Sequence, residues 1–352
     1  MRLLFIAVLR NRGVADPAGA THNLRFTQLR EGIMRSLLRS AVVAGLALLT
    51  FMADGFAAEQ TLKIVFPFSA GGSGDAVARL VAEHLQKSLG RPVIVENKVG
   101  AGGRIGALAV KDALPDGSTL LFAGSSQLTL QPHIYPDLGY DPAVDLAPIS
   151  QVVRFDQALA ISSQVPAKSV KELVVWLKAN PDKAIYGSPG AGTFPHFAGI
   201  EFGRLSGVDF RHIPYRGTSA ALPDLLSGRI AVYIASQAEL IELHKSGSIR
   251  ILATTGISRS TTLPDIPTLK ESGIDVVVPG WFGFYAPARM PAELVERLQN
   301  EIIAIVRLPD VHTKILAIGY EPTATTSAEL KKIQLAEFER WGPIVKASGY
   351  KP

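Results

Sequence analysis

Hydroxyl, glycine and capping residues gather twice in this chain on one plan. At 62–75 the run Leu-Lys-Ile-Val-Phe-Pro-Phe-Ser-Ala-Gly-Gly-Ser-Gly-Asp sets Phe68, Ser69, Ala70, Gly71, Gly72, Ser73 and Asp75 between an apolar strand and an amphipathic helix. At 184–196 the run Ala-Ile-Tyr-Gly-Ser-Pro-Gly-Ala-Gly-Thr-Phe-Pro-His repeats the plan with Ser188, Gly190, Gly192, Thr193 and His196. A glycine turn that opens a helix aims backbone N–H groups at one spot, where the helix dipole favours negative charge. Glycines that disfavour local order are accounted for by close approach of a ligand to the backbone. Two such turns on separate lobes make a clamp for a small anion.

Each chemical residue type also has a plainer use. Asp75 stands where a carboxylate caps free helical N–H groups. The first turn lacks the Gly-Lys-Ser/Thr ending of a phosphate loop, and Gly100-Ala-Gly-Gly-Arg-Ile-Gly106 misses the dinucleotide spacing because Ile105 occupies the third glycine position. That stretch reads instead as a tight turn for helix–sheet packing. A nucleophile elbow around Ser188 would need glycine where Tyr186 stands, so Ser188 reads as a hydroxyl donor to a ligand oxygen, and His196 as a helix-start residue facing the cleft or packed beside it. At 212–218, His-Ile-Pro-Tyr-Arg-Gly-Thr is a third strand–turn–helix start, with Thr218 or Ser219 as cap and Arg216 either pairing with a carboxylate or solvated. Ser125 and Ser126, beside Gln127, end a strand at the cleft rim, while Trp281 and Trp341 read as core. The seven histidines show no metal-ligand spacing and there is no cysteine, so neither metal, cofactor nor disulfide is expected.

The elements that must position these groups alternate strand and helix from Leu62 onward, which predicts α/β layers with largely parallel sheets. Strand-like runs fall at 63–66, 93–96, 119–123, 184–186, 210–214, 230–235 and 249–254. Val77, Val81 and Leu85 mark one helical face that Gly90 ends, and Leu294, Leu298, Ile302 and Ile305 another that Pro291 precedes. Two long extended segments, 146–163 and 276–286, break the rhythm and are expected to cross between domains. They divide the chain into residues 59–160 with 279–352 as one domain and 161–278 as the second, with a cleft between them.

Length and composition agree with two globular domains: 352 residues, 47% hydrophobic and 19% charged. The net charge of +5 does not signal nucleic acid. Seven arginines against three acidic residues fall within residues 1–58, leaving 29 basic and 28 acidic residues beyond. Residues 1–58 read as a leader whose signal peptide proper is 34–57: Met34-Arg-Ser-Leu-Leu-Arg39 is a basic n-region, 40–52 an apolar run, and Gly55-Phe-Ala57 a cleavage site. Met34 is the expected translation start, and the protein is expected to be exported.

From about residue 60 to 350 the sequence resembles the substrate-binding components of tripartite tricarboxylate transporters, the Bug-type extracytoplasmic solute receptors. The resemblance is carried by Val65-Phe-Pro-Phe-Ser-Ala-Gly-Gly72 with Asp75 and Arg79, Val95-Glu-Asn-Lys98 through Gly103, and Pro115-Asp-Gly-Ser-Thr-Leu-Leu121. It continues in Pro214-Tyr-Arg-Gly217 with Asp224-Leu-Leu226, Leu263-Pro-Asp-Ile-Pro-Thr268, Ala286-Pro-Ala288 and Arg340-Trp-Gly342. It implies a two-lobed periplasmic binding protein fold (type 2) with two Rossmann-like domains, monomeric and without catalysis. The loops at 68–75 and 188–196 would hold a ligand carboxylate for delivery to a membrane permease. One block departs: where relatives commonly read Val-Asp-x-x-Phe-Asp, both aspartate positions, Ala231 and Ala235, are alanine. If Ala235 borders the cleft, a carboxylate without an amino group suits the site. Two other readings stay open: an exported hydrolase using Ser188 or His196, and a loaded receptor that docks on a sensor protein.

Overall fold

The computed structural model describes residues 61–352, all within one compact unit; the expected leader and its start site lie outside them. Ten strands follow in order: β1 (Leu62–Phe66), β2 (Val93–Asn97), β3 (Thr119–Gly124), β4 (Leu146–Ser162), β5 (Ile185–Ser188), β6 (Arg211–Pro214), β7 (Val232–Ser236), β8 (Ile249–Thr254), β9 (Pro279–Pro287) and β10 (Glu321–Pro322). The sheet runs β2-β1-β3-β9-β4-β7-β5-β6, with β8 and β10 both pairing with β4. The fold is mixed α/β and two-lobed: β1, β2, β3 and β9 carry the first lobe, β5 to β8 the second.

The expectation of largely parallel sheets needs correction. Parallel pairing is confined to β1 with β2 and β3, and to β5 with β6 and β7. The centre is antiparallel: β9 runs opposite to β3 and β4, and β4 runs opposite to β7 and β8. β4 spans 17 residues, about 55 Å at strand rise. Its first part, Leu146 to Asp156, pairs with β9, and its remainder, Gln157 to Ile161, with β7. Register shifts near Pro148 and Gln151 mark bulges, which bend a strand and raise its twist.

Helix Ser73–Leu89 covers the first lobe with Val77, Val81 and Leu85, all fully buried at the spacing of one helical face. Gly90 ends it in the left-handed region at φ 68°, which glycine adopts without steric cost. Helix Ala292–Arg307 presents Leu298, Ile302 and Ile305 to the same core, with Pro291 as its N-cap. In the second lobe, helix Val170–Ala179 starts where the Ser169 hydroxyl accepts from the Glu172 N–H and buries Leu173 and Leu177. The long helix Ser327–Ser348 adds Trp341 to this second core, stacked on Phe194 at 4.7 Å.

Candidate ligand-binding cleft

Both glycine turns sit at the carboxyl ends of strands, where open α/β sheets place their ligands. Phe68, Ser69 and Gly72 from the turn after β1, and Pro189 and Thr193 from the turn after β5, line one cleft. Ser125 and Ser126, at the end of β3, line it as well. The helix after the first turn has Gly72 as N-cap with no side-chain cap, so its first N–H groups lack a side-chain acceptor. Gly74 is fixed by packing, since a Cβ there would lie 2.7 Å from the Phe66 ring.

Several residues of the same turns support them from outside the cleft lining. Asp75 does not occupy the N-cap; it lies within the first turn, buried. Its Oδ2 accepts from the Gly71 N–H (3.1 Å) and Arg79 Nε (2.8 Å), its Oδ1 from Arg79 Nη2 (3.1 Å) and Asn97 Nδ2 (2.9 Å). Burial works to raise the Asp75 pKa, but these bonds and the Arg79 charge outweigh it and hold the carboxyl below its ordinary value. Asn97 Nδ2 also donates to the Phe68 carbonyl at 3.0 Å, so Asp75 and Asn97 brace the turn from behind. Ala70 and Gly71 face solvent, Ser73 is half-buried, and Arg216 is exposed; none of the four is part of the lining.

In the second turn Ser188 is fully buried. Its hydroxyl donates to the Gly190 carbonyl (3.0 Å), which makes it the acceptor for His212 Nε2 at 2.7 Å. His212 stacks on His196 at 3.9 Å, and His196 Nδ1 accepts the Gly192 N–H at 3.1 Å. An Nδ1 that accepts is unprotonated, so His196 is neutral. Burial pushes its pKa down to about 4; burial and the neighbouring His196 push His212 to about 3. The partner of Ser188 is thus His212, and neither member of the pair lines the cleft, where a nucleophile would have to meet substrate. Thr193 caps helix Phe194–Ser206, accepting from the His196 N–H and donating to the Gly190 carbonyl. Gly190 and Gly192 face the first lobe: a Cβ on Gly190 would lie 3.1 Å from Gly102 Cα, and one on Gly192 2.7 Å from the Tyr135 hydroxyl.

The remaining lining was not singled out from sequence. Phe66, Phe155, Phe194, Trp281, Phe282 and Tyr320 join Phe68 to make the walls aromatic, with Phe282 in ring contact with Phe66, Phe155 and Tyr320. Trp281 is both core and wall. Gln157 lines the cleft two residues after Phe155, as strand alternation requires. Thr218 does not cap its helix, whose N-cap is Gly217; its hydroxyl donates to Glu239 Oε2 and accepts from Tyr233. Ala235 lies in the second-lobe core and not in the lining, so the absent aspartate at that position does not open onto the cleft. The carboxyl group that does is Glu239, four residues further on. The lining contains no Lys, Arg or His. Among the described residues no cluster of side chains could hold a metal ion, and no helix is long and apolar enough to cross a membrane.

The sequence of residues 77–350 matches the family described as the tripartite tricarboxylate transporter family receptor. The fold is similar to the structure of the periplasmic binding protein BugD, at 32% identity over 83% of this chain and 99% of that one (TM-score 0.79). It is also similar to Rpa4515 of Rhodopseudomonas palustris solved with adipate, at 29% identity over 83% and 98% (TM-score 0.79). A third structural relative is MatC from the same organism with bound malate, at 28% identity over 81% and 98% (TM-score 0.77).

Proposed function

Because the chain belongs to the tripartite tricarboxylate transporter receptor family, we propose that it is an exported solute receptor that captures a small organic acid between its lobes and delivers it to a membrane permease. One observation carries this reading: two glycine turns from different lobes, each opening a helix, contribute to the same cleft. The first helix start, which no side chain caps, and the hydroxyls of Ser69, Ser125 and Ser126 suit an anion that a surface lacking cationic side chains would otherwise reject. Adipate and malate in two structural relatives support a carboxylate as the ligand class.

In this reading residues 59–160 with 279–352, and residues 161–278, are the two bodies that close on the ligand, and closure excludes water and strengthens every hydrogen bond to the carboxylate. Residues 34–57 direct export to the periplasm, and the receptor works as a monomer without chemical turnover. The buried Ser188 supports binding and not hydrolysis.

The test is to denature the purified protein and identify the released small molecule by mass spectrometry, then to titrate fresh protein with benzoate, adipate and malate by calorimetry. We expect an organic acid to be released and at least one of the three to bind saturably. A released compound without a carboxylate, or no saturable binding of any of the three, overturns the reading.

A further inference from the structure

A carboxyl group stands inside the site assigned to a carboxylate. Glu239 ends the short turn Gln237–Glu239 of the second lobe and reaches the first: a Cβ placed on Gly72 would lie 2.9 Å from its Oε1. Gly72 is the N-cap of helix Ser73–Leu89, so Glu239 borders the spot at which that helix start would grip an anion. Oε2 accepts from the Thr218 hydroxyl, and Oε1 has no hydrogen-bond partner among the described residues. Two negative carboxylates cannot share so enclosed a place unless a proton lies between them.

We propose that Glu239 meets the ligand as a neutral carboxylic acid, donating from Oε1 to the ligand carboxylate, so that capture binds one proton from solvent. This rests on the carboxylate-receptor reading above. The groups facing Glu239 agree. From β7 comes Tyr233, from the chain before β10 Tyr320, and from the helix Thr218–Leu226 the Thr218 hydroxyl; none is cationic. On the first-lobe side, Asp75 is already neutralised by Arg79 behind the turn. Tyr233 and Tyr320 are held well above their ordinary range by burial first and by Glu239 second, so neither is a competing charge. Enclosure raises the Glu239 pKa to about 7, although one edge of the residue stays open to the cleft. The buried Tyr320 and Ser236 hydroxyls, both in the lining, lack a well-formed hydrogen bond and can serve the same ligand end.

The test titrates the full chain with benzoate, adipate and malate from pH 6 to 9, in buffers of different ionisation enthalpy, alongside Glu239→Gln. For whichever acid binds, we expect uptake approaching one proton per ligand at pH 8 and affinity falling about tenfold per pH unit above about 7. The amide introduced by Glu239→Gln keeps a donor and does not titrate, so this variant should bind with a flat pH profile. Affinity independent of pH with no proton uptake overturns the inference and leaves the receptor reading standing. Affinity that rises with pH overturns it in favour of an ionised Glu239 accepting from a ligand donor. No binding of any of the three by wild type overturns both.

Discussion

Gln131 Nε2 donates to two carbonyls at once, that of Gly102 at 2.8 Å and that of Gly192 at 3.1 Å, tying a turn of the first lobe to the glycine turn that opens the second lobe's helix. Gln131 is fully buried and Gln127 Nε2 donates to the same Gly102 carbonyl. Replacing Gln131 with alanine leaves the Gly192 carbonyl without this donor, a loss of about 1–3 kcal/mol. We expect a lower urea midpoint and weaker ligand binding measured by calorimetry. Stability and affinity equal to wild type would contradict the tie.

Gly72 leaves no room for a side chain beside Glu239. Gly72→Val should abolish ligand binding while the melting temperature stays within a few degrees of wild type, because the added side chain enters the cleft and not the core. Calorimetry with the acid that binds wild type, together with a thermal melt, checks both halves of the expectation.

The stacked histidines give stability a pH dependence of definite sign. His196 and His212 titrate near 6.5 in the unfolded chain but at about 4 and about 3 when folded. The unfolded state therefore takes up protons first, and the stability present above pH 6.5 is lost as pH falls toward 4. Glu239, with its raised pKa, acts in the opposite sense between about 4.5 and 7, destabilising as pH rises. The comparison is thus made with the double variant His196→Gln, His212→Gln, whose urea midpoint should fall less than that of wild type between pH 7.5 and 5. An equal fall would sink the assignment.

Asp75→Asn should loosen the first turn. The substituted amide cannot accept from Arg79, Asn97 and the Gly71 N–H together, a cost of about 1–3 kcal/mol. Affinity should drop with stability, and hydrogen exchange at residues 68–72 should speed up relative to the rest of the first lobe. Unaltered exchange there would show that the brace is dispensable.

The parts of the site legible in the sequence are those whose signal is local. Gly72 and Thr193 announce themselves because a glycine turn and a helix cap are written in consecutive residues. Ser125 and Ser126 follow from the end of a strand. Glu239 and Tyr320 were illegible for the opposite reason: each reaches the cleft from an element distant in the chain. The His212 partner of Ser188 depends on the parallel pairing of β5 with β6, which no single strand encodes. The long strands β4 and β9 were visible as overlong apolar segments, but their antiparallel pairing was not, since hydrophobic alternation carries no direction.

β4 pairs with β9 over its first part and with β7 and β8 over its remainder, and in the receptor reading proposed above this affects how the two bodies open. A hinge made of flexible loop turns freely, whereas a paired strand resists twisting because its ladder on each side must twist with it. In the proposed closure, lobe motion would wind a short torsion bar between Asp156 and Gln157, where the partner of β4 changes from β9 to β7. The resting angle of the receptor is then a spring setting, and substitutions that stiffen or relax that one dipeptide should retune ligand release without touching the ligand.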